Sequence, residues 1–251
     1  MLEWNLAIGL QSERHARRQM RAIAALRPAP RIVVLVEARQ SLFELYISEL
    51  QVRTGHAWGG VAQGHCPPAS WNDSACSCSK HEDEAVMILA SLPIVSSDTI
   101  LCPFGDQWHS ARAAVHAAVR VDGAAVHVFG THLQAGPGSE AARARLDSIE
   151  MLKAWAARFE SPLIVGGDFN AEPASEEVTS QTKGMASAFA DTWESCGSGE
   201  PSTYPAWWAT RKIDYWFADV GGQARAISTN VARGVWLSDH YPLQATFAFG
   251  R

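Results

Sequence analysis

The chain has 251 residues, 47% of them apolar, and a formal net charge of −5. That length and apolar content suffice for a buried core without disulfide or metal staples, which excludes a stapled mini-domain and a disordered chain. The acidic balance excludes a protein that coats nucleic acid by bulk charge, but not an enzyme that meets phosphates through a few placed side chains.

The first twenty residues show no basic segment leading into an apolar stretch, so no signal peptide is expected and localisation stays open. No apolar run approaches the roughly 20 residues that span a bilayer. "LEWN" reads as a short strand ending at Asn5. Residues 12–26 read as a helix with Ser12 as N-cap and Met20, Ile23, Ala24 and Leu26 on its buried side. Arg14, Arg17, Arg18 and Arg21 then form its solvated face. "RIVVLVE" is a strand ending at Glu37, and residues 40–51 are a further candidate helix. Residues 60–84 are rich in breakers and read as a long loop. That loop holds Cys66, Cys76 and Cys78 between His65 and His81, but C-x-C lacks the usual zinc-ligand spacing. A local disulfide or free thiols are the simpler reading. The five cysteines leave at least one thiol unpaired within a monomer.

"AVHVFGTHL" is a strand that carries His132. Residues 139–159 place Leu146, Ile149, Leu152, Trp155 and Phe159 at helical spacing, with Ser139 as a cap candidate. "PLIVGGDFN" ends at Asp168 and Asn170, which point the same way if the strand continues past its glycines. Residues 195–203 read as a loop. "KIDYWF" carries Asp214, and "VWLSDHYPL" reads as a strand carrying Asp239 and His240. Many strands with few helices fit two sheets packed face to face with helices outside, and no composition shift divides residues 1–251 into separate domains.

Each of these polar strand ends is weak evidence alone. Together they gather amides, carboxylates and histidines where a rigid sheet positions groups well. Several carboxylates meeting at one point need a cation, and oxygen donors without cysteine favour a hard ion, Mg²⁺ or Mn²⁺, with Ca²⁺ as the alternative. Metal, carboxylate and histidine together suit attack of water on a phosphate ester.

In order, "LEWNL", "VLVEAR", "GTHL", "GGDFNAEP", "RKIDYWF" and "LSDHYPL" resemble the endonuclease/exonuclease/phosphatase superfamily, from Asn5 to Leu243. The resemblance implies an α/β (α+β) fold, a four-layer α/β/β/α sandwich with two packed mixed β-sheets. It implies that Glu37 binds metal, with Asn5 beside it and Asp239 as a second carboxylate. It implies that Asp168 activates water, that Asn170 steadies the phosphoryl oxygens, and that His240, oriented by Asp214, contacts the scissile phosphate. "GTHLQAG" resembles the deoxyribonuclease I, sphingomyelinase and inositol phosphatase branch, in which His132 is a candidate general acid. Glu84 is then its expected support, with Glu82 as the runner-up.

Arg39 in "EAR" and Arg112 in "ARAAVHAAV" resemble arginines aimed at DNA and phosphate, which suits a planar guanidinium. The other reading of Arg39 is a surface ion pair. "TYPAWWATRK" brings Tyr204, Trp207 and Trp208 before Asp214, read first as packing residues. A stacking platform for a base or a membrane contact are the alternatives. The expectation is a monomeric, Mg²⁺- or Mn²⁺-dependent phosphodiesterase, a nuclease with DNA as substrate. The alternatives are a sphingomyelinase-like or other lipid or small-molecule phosphoesterase, and a binding module that lost catalysis.

Overall fold

A computed structural model describes residues 1–65, 83–102 and 112–250. In chain order they form β1 (Leu2–Asn5), α1 (Glu13–Ala25), β2 (Ile32–Arg39), α2 (Phe43–Thr54), β3 (Gly59–Gly64), β4 (Glu84–Ala90), β5 (Ile94–Cys102), β6 (Arg112–Val121) and β7 (Ala124–His132). There follow α3 (Ser139–Ala156), β8 (Leu163–Asp168), α4 (Glu176–Thr179), β9 (Phe189–Asp191), α5 (Thr192–Cys196), β10 (Gly197–Ser198), β11 (Asp214–Asp219), β12 (Ala224–Val231) and β13 (Leu243–Phe249).

The strands make two mixed sheets. The first runs β10-β12-β13-β1-β2-β4-β3, and the second β5-β6-β7-β8-β11-β9. Alternation along each strand decides the layers. Val34, Val36, Val86, Ile88, Val115, Val128, Ile164 and Trp216 face the space between the sheets. The intervening Val33, Leu35, Met87 and Leu89 pack with Met20, Ile23, Tyr46 and Leu50 of α1 and α2. On the far side, Phe129, Val165, Tyr215 and Phe217 pack with Ile149, Leu152 and Trp155 of α3. This is the expected four-layer arrangement. Each fully buried Ile or Val contributes about 1.5–3 kcal/mol.

Several local expectations hold and others change. Ser12 caps α1, its Oγ accepting from His15 N at 3.3 Å. The arginines of its outer face are exposed. Helix α3 begins at Ser139, but its N-cap is Gly138, with no side-chain cap bond, so Ser139 is not the cap. The expected 60–84 loop is corrected at both ends, because residues up to Gly64 belong to β3 and Glu84 opens β4. These two strands pair antiparallel, which the glycines of "GGVAQG" hide from propensity. Cys66, Cys76, Cys78, His81 and Glu82 lie outside the described residues. Residues 195–203 are not all loop, since α5 ends at Cys196 and β10 pairs with β12. Cys196 is a free thiol. No helix among the described residues is long and apolar enough to cross a membrane.

Candidate active site

At one end of the inter-sheet space the inward-facing positions turn from apolar to polar. On the second sheet His132 is opposite Asp168 across the parallel β7–β8 pair, and Asp168 is opposite Asp214 across β8–β11. Cross-strand neighbours share a face, so these three continue the inward rows of Val128, Ile164 and Trp216. On the first sheet Asn5 and Glu84 continue the inward rows in the same way. Glu37 does not follow from alternation, because Val36 before it already faces inward. The β2–β4 register shifts between Leu35 and Ala38, and Glu37 has φ 49°. This bulge inserts one residue and keeps Glu37 on the inward side.

The glycine pair before Asp168 is explained by close approach. A Cβ on Gly167 would lie 2.0 Å from the Thr131 carbonyl oxygen, and one on Gly166 would lie 2.6 Å from the Trp216 ring. The strand stops at Asp168. Asn170 has φ 49°, and its Nδ2 donates to Leu133 O at 3.1 Å. Strand geometry therefore persists past the glycines only to Asp168, and the period-two expectation for Asn170 is corrected. Its backbone N–H instead caps Asp168 Oδ1 at 2.8 Å.

Asn5 joins the two sheets. Its Nδ2 donates to Glu37 Oε1 at 3.0 Å and to Asp168 Oδ2 at 3.1 Å, while its Oδ1 accepts from Ala7 N at 2.9 Å. The other Glu37 oxygen accepts from Ile8 N at 3.2 Å. Around Asp168 Oδ2 stand His132 Nε2 and His240 Nε2, each at 3.8 Å. Asp239 and His240 lie on a bend before β13, not on a strand, which corrects that expectation. The bend is pinned where Ser238 Oγ donates to Asn5 O at 2.7 Å and Trp4 Nε1 donates to His240 O at 2.9 Å. His240 Nδ1 is 2.8 Å from Asp214 Oδ2, which also accepts from Thr203 Oγ1.

Burial alone would depress the His240 imidazole, but Asp214 with its hydrogen bond, then Asp168 and Asp239, push it up to about 10. His240 is therefore an imidazolium at neutral pH. Burial first, then the Asp214 charge, raises Asp168 above the ordinary carboxylate range, against the pull of the two histidines and the Asn170 N–H. Burial, and then the Glu37 charge, likewise raises Asp239, while His240 opposes. Behind them Glu3 is fully buried, with both carboxyl oxygens lacking a hydrogen-bond partner among the described residues. Burial, then Asp214 and Asp168, raises it well above its usual value.

Glu84 does stand beside His132, its Oε1 3.2 Å from His132 Nδ1. The same oxygen is 3.1 Å from His65 Nδ1 and 3.5 Å from Arg112 Nη1. Arg112 Nη1 is also 3.2 Å from His132 Nδ1. Arg112 is buried, so the structure ties it to Glu84 and His132. If Nδ1 accepts from Arg112, the His132 proton is on Nε2 and that N–H faces Asp168. Arg39 pairs with Asp83 at 3.4 Å and keeps a partly exposed side chain.

Among the described residues two buried groups have metal-ligand spacing: His65, Glu84 and His132, and Asp168, Asp214 and His240. The Arg112 guanidinium stands against two members of the first group and opposes a cation there. In the second group the imidazolium of His240 has no free lone pair. Glu37 and Asp239 offer hard carboxylate oxygens of the kind a divalent cation takes, whereas Asn5 turns its Nδ2 to Glu37 and its Oδ1 to Ala7 N and so braces Glu37. A cation beside them would also relieve the charge that raises Asp239 and Asp168.

The structure thus brings together Asn5, Glu37, Glu84, Arg112, His132, Asp168, Asp214 and His240, with Asp239 and Asn170 at the margin. It adds His65, which sequence reasoning placed in a cysteine-rich loop. Its cross-strand position opposite Glu84, His65 N donating to Glu84 O at 2.9 Å, is the signal, and that needs the β3–β4 register. Trp207 and Trp208 are 51% and 68% exposed, so the packing reading is corrected for both. They sit on a turn tied to the site where Ala206 N donates to Asp239 O at 2.7 Å. Tyr204 does pack, its ring centroid 4.7 Å from that of His240.

The Endonuclease/Exonuclease/phosphatase family profile matches residues 2–240. No match was found among curated protein sequences. Similar solved structures include an endonuclease/exonuclease/phosphatase from Bacteroides vulgatus, at 18% identity and TM-score 0.72, covering 99% of this chain and 98% of that one. A mannosyl-6-phosphatase from Bacteroides thetaiotaomicron aligns at 15% identity and TM-score 0.72, with the same coverage. Beta toxin from Staphylococcus aureus aligns at 17% identity and TM-score 0.71, covering 98% of each chain. At such identities the likeness concerns the fold.

Proposed function

The chain belongs to the endonuclease/exonuclease/phosphatase family, whose members are metal-dependent phosphoesterases, and from that premise we propose that it is a phosphodiesterase that hydrolyses DNA. Residues 1–251 act as one catalytic domain. The observation that carries the reading is the setting of Asp168, one oxygen of which is flanked by Asn5, His132 and His240.

Asp168 takes a proton from water as the oxygen attacks phosphorus, and its raised proton affinity makes it the stronger base. The imidazolium of His240, held charged by Asp214, donates to a phosphoryl oxygen that gains negative charge. Asn170, at the margin of the site with its Nδ2 on Leu133 O, is the residue we assign to steadying the same group. The bond from phosphorus to the leaving oxygen breaks, and His132 Nε2–H supplies the proton that oxygen needs. Glu37 and Asp239, with Asn5 bracing Glu37, would hold Mg²⁺ or Mn²⁺, which would supply charge neutralisation at the phosphate.

For DNA, Arg39, which neighbours Glu84 across the strands and pairs with Asp83, is the residue we assign to a flanking phosphate. Trp207 and Trp208 offer exposed faces on which an unpaired base can stack. The second reading is a lipid or small-molecule phosphoester. The same tryptophans, joined by exposed Trp236, favour it, and a mannosyl-6-phosphatase on this fold accords with it.

The test is a panel of plasmid, single-stranded DNA, RNA, sphingomyelin and a sugar phosphate, each with Mg²⁺, with Mn²⁺ and with EDTA. Metal-dependent cutting of DNA supports the proposal. Turnover confined to sphingomyelin or the sugar phosphate overturns the DNA assignment, and no turnover of any phosphoester overturns the activity.

A further inference from the structure

We propose that a polar cavity beside Asn170 is the subsite for the substrate unit next to the scissile phosphate, and that Arg211 at its rim binds that unit's own phosphate. The inference deepens the DNA reading and rests on it.

His132 and Asp168 close β7 and β8, and Asp214 opens β11. These strands are neighbours in the second sheet, so the segments that join them at this end emerge together. Between those segments and α3 lies a cavity of about 600 Å³, with Gly136, Arg145, Asn170, Glu172 and Arg211 in its wall. That volume is within the range that takes small organic groups. Asn170 joins the cavity to the catalytic site, because its backbone N–H caps Asp168 Oδ1 at 2.8 Å.

The charges in the wall decide what the cavity takes. Arg145 is buried, its Nε donating to Glu177 Oε1 at 2.8 Å and its Nη1 to Gln134 O and Gly136 O, each at 3.1 Å. That arginine braces the wall, and Glu177 matches its charge. Arg211 differs. Its Nε donates to Glu172 Oε1 at 2.5 Å, but the two side chains are 44% and 47% exposed. An ion pair so open to water contributes little, so the carboxylate can be exchanged for an anion of the substrate. A phosphate offers the planar guanidinium two oxygens at once.

The backbone of Arg211 is fixed. Its N donates to Tyr204 O at 3.0 Å, and its O accepts from Thr203 N at 2.8 Å and Tyr204 N at 3.1 Å. The guanidinium carbon lies 5.9 Å from the centre of the Tyr204 ring, and that ring lies 4.7 Å from the ring of His240. With His240 on the scissile phosphate, Arg211 stands one aromatic ring further out, at the place for the neighbouring phosphate of a strand. Arg39 belongs to β2 of the first sheet and meets a different flank.

The experiment uses trithymidylates in Mg²⁺. One linkage is the scissile phosphodiester. The other, on its 5′ or its 3′ side, is either a phosphate or an uncharged, uncleavable methylphosphonate. The preference for phosphate is the ratio of kcat/KM at the same bond, read by product analysis. Arg211→Gln is expected to lower that preference about tenfold on one side, through KM. Arg211→Met, which keeps an apolar stem over Tyr204, replaces it should the first not fold. Glu172→Gln removes the competing carboxylate and is expected to raise the preference on the same side. An unchanged preference on both sides in a folded Arg211 variant, or a fall in Glu172→Gln, overturns the inference alone. If no trithymidylate is cut while bis(p-nitrophenyl) phosphate is hydrolysed, the DNA reading fails and takes the inference with it, so the two failures are distinguishable.

Discussion

Two buried histidines, His240 and His116, lie on opposite sides of the second sheet and respond to burial in opposite ways. In the inter-sheet site His240 is held at about 10. On the α3 face, His116 and His127 stack with centroids 5.1 Å apart, His116 Nε2 2.9 Å from His127 Nδ1, among Phe129, Trp155 and Phe159. There burial first, and then the His127 charge, pushes His116 down to about 4, with Asp98 opposing weakly. Burial disfavours the charged ring in both places. At His240 a carboxylate in direct contact overcomes it; at His116 the ring contacts are aromatic, and Asp98 across the strands does not outweigh burial. The difference separates a site built to hold a charge from a core that tolerates only neutral groups.

The largest test removes the centre of the charged group. Asp168→Asn is expected to fold and to lose on the order of 10⁴-fold in metal-dependent phosphodiester hydrolysis, measured as initial rate beside a circular dichroism melt. Near wild-type turnover would break the assignment of the base. Next, Asp214→Asn takes away the carboxylate that offsets burial of His240. The imidazole should then titrate well below 10, and turnover at neutral pH should fall about 10²-fold or more. NMR titration of His240 beside the rate profile checks both. A His240 still charged at pH 9 in this variant would refute the comparison.

The histidines also predict two opposite limbs of stability against pH. His240 is raised, so its contribution is whole below the unfolded value of 6.5 and is lost as pH climbs towards about 10. His116 is lowered, so stability is whole above 6.5 and is lost as pH falls towards about 4, where the unfolded chain binds the extra proton. His116→Phe should flatten the acid limb by about 1–3 kcal/mol and leave the alkaline limb intact. Urea unfolding from pH 4 to 10 reads both limbs.

The smallest expected effect concerns Glu3, a carboxyl near the site but without a cation. Its raised proton affinity means that stability is whole below the unfolded value of 4.5 and declines as pH rises above it. Glu3→Gln removes that decline. The variant should match the wild type at pH 4 and exceed it at pH 7 by on the order of 1–2 kcal/mol, seen as a higher Tm. A lower Tm at pH 7 would show that Glu3 is ionised and held by a partner.

Legibility in the sequence follows the range of the forces involved. Asn5, His132, Asp168 and Asp214 could be picked out because each lies at one end of a strand whose apolar run and period are local properties. The α1 cap at Ser12 is local too. Asp239 and His240 were recognisable as residues, but their bend is pinned by Trp4 and Ser238 contacts more than 230 positions apart along the chain. His65 was hidden among glycines and cysteines because its meaning depends on facing Glu84.

The sequence by itself determined the alternation that makes two sheets with helices outside, the polar residue types at their ends, and hence the hard-ion phosphate chemistry they suit. Only the tertiary structure decided which of those residues meet. The register across β7, β8 and β11 aligned His132, Asp168 and Asp214, and the bulge in β2 turned Glu37 inward. The protonation of His240 was decided there as well. The reason is that alternation and capping act within a few residues, whereas a cross-strand register, a bulge and a shifted pKa depend on neighbours brought together by burial of the whole core.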